Sequence, residues 1–504
     1  MSNKYKIIVP FYNVEDWIAN CIKSIQLQDY DDYECYLVDD MSTDNTAEKV
    51  KELIKNDSRF HLIENQEKKF ALRNIYEAIQ KSGDNREDII VTLDGDDWFA
   101  SKKTLSILNN NYDETGCWLT YGSYMEYPSK KRGPFCERIS KNVIKNNSYR
   151  QNKWVSSHLR TFKRHLWDRI EKKDLLNEEG KFYRMTWDMA FMFPMMEMAG
   201  PLSIHVPEIL YCYNRQNPIN DDKVNHSLQL MTEQIIRSKQ PYKQNFVSCN
   251  ILGPTGDLSG IGNQLFCVAT TLSCGIENNS TPYFPQMRTD RLIKKYKENF
   301  YKKLSSGIAE DISHNIYVEP DFHFNKIDNS DRNLTIQGYF QSEKYFSKHR
   351  EEIISLLNIS ELKDKIKNKF GDPSECVSIH IRRGDYLELS DYHHNLTMEY
   401  YKEAISKFDE NDQFMIFSND LDWCKENFNF LKNVRFSECT EDWEDIVMMS
   451  VCRDNIIANS SFSWWGAWLN ENENKKVIAP KKWFGPKYSS KNISDLIPEK
   501  WITI

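Results

Sequence analysis

The stretch HIRRGDY, residues 380–386, sets a histidine, two adjacent arginines, a glycine and an aspartate directly after the apolar run Val377-Ser378-Ile379. Guanidinium groups at the end of a buried strand are costly to desolvate unless a carboxylate or another anion meets them. A second stretch, VTLDGDDW at 91–98, ends an apolar run in Asp94-Gly95-Asp96-Asp97. Carboxylates converging from a tight turn suit Mg²⁺ or Mn²⁺, which keep waters and bridge to substrate phosphates. Gly95 lets the backbone approach closely there. Taken alone, each motif has a plainer reading: R-R-G-D as a surface salt-bridge site, D-x-D-D as a solvated acidic turn. The company each motif keeps decides between the readings.

Both motifs need strands to carry them. Residues 5–100 alternate regularly: YKIIVPF, YECYLVDD, FHLIEN and DIIVTLDGDDW read as strands. Between the first two, Val14, Trp17, Ile18, Cys21, Ile22 and Ile25 recur at helical spacing. STDNTAEKVKELIK, with its helix-capping residues, and ALRNIYEAIQKS supply two more helices. This alternation predicts a parallel, doubly wound sheet covered by helices. Ligands of such sheets bind at the carboxyl ends of the strands, where Asp39-Asp40 and Asp94–Asp97 fall. A second α/β unit opens at FVSCNILGPTGDLSGIGNQLF and continues through the strand candidates NLTIQGYF, CVSIHI, FMIFSN and DNIIANSS. The expected division is 1–225, a linker over 226–245, and 246–504.

The length, 504 residues, exceeds one ordinary core. A net charge of −8 argues against a general binder of nucleic acid or anionic membrane. No window approaches the ~18 apolar residues of a membrane span, and the first residues, MSNKYKIIVPFYN, do not read as a signal peptide. The twelve cysteines include no C-x-x-C pair and no zinc spacing, which fits reduced thiols and a cytoplasmic protein. Sequons such as Asn225-His226-Ser227 are read as compositional.

Over about residues 5–215 the chain resembles family 2 of the inverting nucleotide-sugar glycosyltransferases. The matching pieces are VPFYN, CIKSIQLQDYDDYECYLVDDMSTDNT, LRN and LDGDDWF, in that order. The resemblance implies a GT-A-like fold, a UDP-sugar donor and a Mn²⁺ or Mg²⁺ ion. Pro10, Tyr12, Asp40, Arg73 and Asp94 would line the donor, with Tyr12 and Asp40 at the base, Arg73 on the nucleotide and Asp94 near the ribose. Asp96 would ligate the metal. The family also needs a general base, and YRMTWDMAFMFPMM offers Asp188. Its plainer role is to cap the helix that follows.

The arginine motif lies among GDLSGIGNQLF, QGYFQSEKYF, FSNDLDW and DNIIANSSFSWWGAWLN. This set, over about residues 248–485, strongly resembles the α1,2-fucosyltransferases of glycosyltransferase family 11. The resemblance implies a GT-B-like domain, and the anion becomes the diphosphate of GDP-fucose. Arginine forks match its oxygens while staying charged, so no metal is required. Arg382 would bind the diphosphate with His380 and Arg383 in support, and Asp385 would face the guanosine or the acceptor. Gly260, Gly262, Asn263 and Gln264 resemble the phosphate-approaching loop before the first helix. The family pattern has Gly-Gly before Leu-Gly-Asn-Gln, where this chain has Ser259-Gly260-Ile261-Gly262. Asn419, Asp420, Ser461, Phe462 and Ser463 complete the expected donor set, while Trp464 and Trp465 are expected to pack the core. Arg382 and Asp385 are the catalytic candidates of this half, whose general base is not legible.

Together these imply a bifunctional enzyme acting on a glycan acceptor. The first half would add a sugar, galactose from UDP-galactose being the economical choice, and the second would cap it with α1,2-linked fucose. Two rivals are a first half that only binds glycan, and a non-catalytic carbohydrate-binding scaffold.

Overall fold

The computed structural model describes residues 3–218, 225–251, 260–278, 280–284, 295–304, 315–328 and 333–504. The chain divides into two units, the first running to Gln244 and the second opening at Asn245. The first is built on β1 (Tyr5–Phe11), β2 (Tyr33–Asp39), β3 (Phe60–Glu64), β4 (Ile89–Thr92), β5 (Trp98–Phe99), β6 (Leu119–Tyr127), β7 (Arg160–Lys163) and β8 (Ser203–Asn214). These form one sheet in the order β3-β2-β1-β4-β7-β6-β8-β5. The apolar run of β1 is buried along its whole length because parallel strands flank it on both sides. Helix Ile18–Gln26 buries Ile18, Cys21, Ile22 and Ile25, and helix Phe70–Lys81 buries Leu72, Ile75, Ala78 and Ile79, both at the spacing of one helical face.

The parallel sheet expected from residues 5–100 is present as β3-β2-β1-β4, and the strands that follow extend it differently. Strand β7 pairs antiparallel with both β4 and β6, and β5 antiparallel with β8. Regular strand–helix alternation stops after β4, and strands that return without a crossover helix can pair antiparallel. The strand order reverses beside β1, with β2 on one side and β4 on the other. The carboxyl ends of β1 and β4 therefore frame the crevice where such sheets take ligands.

The segment expected as a linker is largely helical and belongs to the first unit. Helix His226–Ser238 buries Thr232 and Ile236. Arg150 Nη1 donates to the Ile236 carbonyl at 2.6 Å, and the Tyr242 amide to Glu197 Oε2 at 2.8 Å. Backbone groups of this segment thus meet the buried Arg150 and Glu197 side chains.

The second unit carries β9 (Phe246–Cys249), β10 (Thr281–Pro282), β11 (Asn315–Val318) and β12 (Leu334–Gln337) in a parallel sheet ordered β10-β9-β12-β11. A second sheet holds β13 (Cys376–Ile381), β14 (Gln413–Ser418), β15 (Val434–Phe436), β16 (Asp454–Ile456), β17 (Val477–Ala479) and β18 (Ile502–Thr503). Its order is β15-β14-β13-β16-β17-β18, again parallel, and it reverses beside β13. Trp464 and Trp465 are fully buried and pack on Phe266 and Phe346 in the core of this unit. Among the described residues no helix is long and apolar enough to cross a membrane, and eleven of the twelve cysteines are buried.

Candidate functional site

The acidic turn of the first unit leaves β4 at the crevice. Its Gly95 amide donates to the Pro10 carbonyl at 3.2 Å, and a methyl group on Gly95 would sit 2.4 Å from the Phe11 Cβ. Only glycine lets the turn press this close to β1. The three carboxylates then part company. Asp97 is 1% exposed and accepts from the Tyr211 hydroxyl at 2.6 Å and the Asn214 amide at 2.7 Å. Burial, with Asp96 and Asp94 nearby, pushes its carboxyl well above the usual range. Asp94 and Asp96 stay half-buried at the surface of the turn, with Asn217 Nδ2 donating to Asp96 Oδ2 at 2.7 Å. Two carboxylates of this kind fit a divalent ion that takes its remaining ligands from a diphosphate and water.

The other donor candidates of this unit lie along the same edge, but two are already engaged. Pro10 is buried within β1 and contributes its carbonyl. Asp40 is 4% exposed and accepts from the Lys69 amide at 2.7 Å, the Phe70 amide at 3.0 Å and Asn65 at 3.1 Å. Its carboxylate thus braces the start of helix Phe70–Lys81 at the edge where a base contact is expected. Arg73 pairs with Glu67 and Glu77, each at 2.9 Å. Tyr12 is half-buried, with the Lys68 ammonium 2.9 Å from its ring centre.

Asp188 stands in the first turn of helix Trp187–Ala199. Arg160 Nη2 donates to its Oδ2 at 2.6 Å, and the Met189 amide to its Oδ1 at 3.0 Å. The Asp188 side chain keeps 22% of its surface exposed, while that of Arg160 keeps 4%. His158 lies beside Arg160, its pKa pushed well below the usual histidine value by burial and the neighbouring guanidinium.

In the second unit the arginine turn leaves β13, again beside the point where strand order reverses. Its two arginines differ. Arg383 is held from three sides: its amide donates to Asn419 Oδ1 at 2.9 Å, its Nε to Asp420 Oδ2 at 3.1 Å, and its guanidinium lies 3.8 Å from the Trp423 ring centre. Arg382 donates through Nη2 to Asp385 Oδ2 at 3.0 Å and lies 5.5 Å from the Tyr386 ring centre. Its Nε has no hydrogen-bond partner among the described residues. Asn419 and Asp420 thus hold an arginine in place. His380 is 3% exposed and packs on Phe462 at 5.3 Å. Burial and the Arg382 charge push its imidazole down to about 3, so it stays neutral at physiological pH.

Helix Ile261–Glu277 starts against the turn that follows β16. A methyl group on Gly262 would sit 2.5 Å from the Ser461 carbonyl carbon and 2.6 Å from the Phe462 amide nitrogen. Gly260 is exposed at that helix start, and Gln341 Nε2 donates to Asn263 Oδ1 at 2.8 Å. Residues 252–259 of the preceding loop lie outside the described residues. Two expected donor contacts face inward. Gln264 is 2% exposed and accepts from the Tyr301 hydroxyl at 3.2 Å. Ser463 is fully buried, its hydroxyl 3.4 Å from the Ala458 and Ser460 carbonyls. Two residues along a helix is a rotation of ~200°, and Ser461 is partly exposed where Ser463 is buried.

Not every residue at these sites carries a sequence signal. Tyr211 reaches Asp97 across 114 residues of chain, and Asn217 reaches Asp96 across 121. Tyr386 stacks on His393 at 4.0 Å beside the arginine turn. The HIRRGDY motif points toward Tyr386; nothing in spacing or composition points to the others.

Known proteins resemble the two units separately. The Glycosyl transferase family 2 model matches residues 6–169, and the Glycosyl transferase family 11 model matches residues 279–504. The chain is 40% identical over 184 residues to an α-1,2-colitosyltransferase of Escherichia coli, covering 33% of this chain and 61% of that protein. It is 36% identical over 183 residues to the O-antigen biosynthesis glycosyltransferase WbnK of Escherichia coli, covering 33% and 59%. It thus spans about three fifths of the length of these curated relatives. Among solved structures, S. aureus TarS aligns at 16% identity and a TM-score of 0.36, over 54% of this chain and 43% of that one.

Proposed function

The chain is a glycosyltransferase family 2 region followed by a family 11 region, and from that premise we propose that it carries out two successive sugar transfers. The observation that supports this best is the placement of the motifs. The acidic turn lies at the strand-order reversal of the first sheet, and the arginine turn at that of the six-stranded sheet.

In the first unit, read as GT-A-like, Asp96 with Asp94 would hold Mn²⁺ or Mg²⁺ against the diphosphate of a UDP-sugar. When bound, such an ion offsets charge on the departing diphosphate. Asp188 takes the proton of the acceptor hydroxyl as the sugar transfers with inversion, a step in which a positioned base contributes about 10²–10⁴-fold. Galactose is the proposed sugar, because the second transfer needs a terminal β-galactoside.

In the second unit, read as GT-B-like, Arg382 turns its guanidinium to the diphosphate of GDP-fucose, and the first amides of helix Ile261–Glu277 meet the same charge. Arg383, locked by Asp420 and Trp423, holds the turn in shape. Fucose is then joined through an α1,2 bond. Colitose in place of fucose is a second reading, favoured by the 40% identity to the colitosyltransferase.

The test is a panel of UDP- and GDP-sugars with and without a glycan acceptor, read by released nucleotide and by mass spectrometry. UDP-galactose with GDP-fucose should give a galactose capped by α1,2-fucose. GDP-fucose alone should leave an acceptor lacking terminal galactose unmodified. Fucose on the bare acceptor, or the two sugars on separate branches, would refute sequential action. Absence of UDP-sugar hydrolysis would leave the first unit as a glycan-binding module.

A further inference from the structure

Asp188 and the acidic turn lie far apart in sequence, yet an unbroken series of contacts joins them. Arg160 opens β7 directly opposite Thr92, the last residue of β4 before the turn. Its guanidinium holds Asp188 at 2.6 Å and lies with Nη1 and Nη2 at 3.3 and 3.4 Å from the two ring nitrogens of His158. The His158 ring stacks on Tyr211 with centroids 4.4 Å apart and planes 22° from parallel, and on Tyr213 at 5.6 Å and 29°. The Tyr211 hydroxyl donates to Asp97 Oδ2 at 2.6 Å and stands 3.4 Å from Asp94 Oδ2.

We propose that Arg160 and His158 are positioning residues that tie Asp188 to the Asp94–Asp97 turn through Tyr211, so that one packed stack sets both the proton acceptor and the metal-side carboxylates. This rests on the reading of the first unit as a metal-assisted transferase. Two features single out this series from an ordinary structural ion pair. Arg160 is nearly fully buried, so its charge is committed to Asp188 and the imidazole instead of being shared with water. The link onward is ring on ring, and flat aromatic stacks inside a close-packed interior transmit displacement with little give. A shift of Asp188 therefore reaches Asp97, whose carboxylate shapes the turn that presents Asp96.

The test titrates Mn²⁺ alone, by calorimetry, into the full chain and its Arg160→Gln, His158→Ala and His158→Phe variants, with melting curves to establish folding. Mn²⁺ affinity should fall at least fivefold in Arg160→Gln and His158→Ala. His158→Phe keeps a ring against Tyr211, so it should retain Mn²⁺ affinity within twofold. It should nonetheless lose about tenfold in kcat for the first transfer, at unchanged KM for the donor, because Arg160 loses its imidazole neighbour. If Arg160→Gln and any folded His158→Ala bind Mn²⁺ within twofold of the parent, the tie does not exist. If the parent itself binds no Mn²⁺, the metal-assisted reading fails first and the tie with it.

Discussion

Gly262 and Ser461 stand back to back: a Cβ on the glycine would lie 2.5 Å from the Ser461 carbonyl carbon and 2.7 Å from its oxygen. Two stretches almost 200 residues apart in the sequence thus meet backbone to backbone. One starts the helix after the glycine loop, and the other starts the helix after β16. The residue after Ser461, Phe462, packs on His380 at the end of β13 at 5.3 Å.

Gly262→Ala should therefore cripple the second transfer selectively. The obstruction is backbone, which cannot rotate aside, and overpacking of this kind costs about 1–3 kcal/mol. GDP affinity measured by calorimetry should drop tenfold or more, while UDP-sugar hydrolysis by the first unit stays at the parental rate. Unchanged GDP binding would remove this contact from the donor site.

Asp96→Ala, or EDTA on the parent, should abolish the first transfer and spare fucosylation of a supplied β-galactoside. The difference follows from how each unit offsets diphosphate charge, with carboxylates and a divalent ion in one and an arginine fork in the other. Loss of both activities together would contradict that division.

Arg382→Lys keeps the charge and removes the planar fork. Fucosyl transfer should fall by at least tenfold and GDP affinity should weaken, with UDP-sugar turnover unaltered. A variant that fucosylates at the parental rate would place the diphosphate elsewhere.

His380 makes stability depend on pH with a definite sign. Its folded value of about 3 lies below the ordinary histidine value of 6.5, so below pH 6.5 the unfolded chain binds a proton that the folded one refuses. The stability is fully present above pH 6.5 and is lost as pH falls toward 3; by pH 5 this residue alone accounts for about 2 kcal/mol. His380→Phe, which keeps a ring against Phe462, should flatten the pH dependence of unfolding between pH 6.5 and 4 by about one proton. Denaturant melts at several pH values measure this, and parallel curves for parent and variant would refute it.

The sequence by itself determined the strands that carry both sites. The runs read as YKIIVPF, YECYLVDD, FHLIEN and CVSIHI became β1, β2, β3 and β13 within a residue at either end. Apolar periodicity and strand-ending charges are local properties, so they survive in one dimension. What lay beyond reach was the direction of each side chain and the identity of its distant partners. Asp94, Asp96 and Asp97 look alike in sequence, yet only Asp97 turns inward, because Tyr211 and the Asn214 amide wait for it on β8. Arg382 and Arg383 are neighbours, yet only Arg383 is pinned by Asp420 and Trp423. Ser463 matched a motif and went into the core because helical rotation carried it away from Ser461. The antiparallel β7, which brings Arg160 beside the acidic turn, follows from strand pairing across 60 and more residues. Tertiary structure decided these roles because burial, and the demand that every buried charge meet a partner, act between residues that only folding brings together.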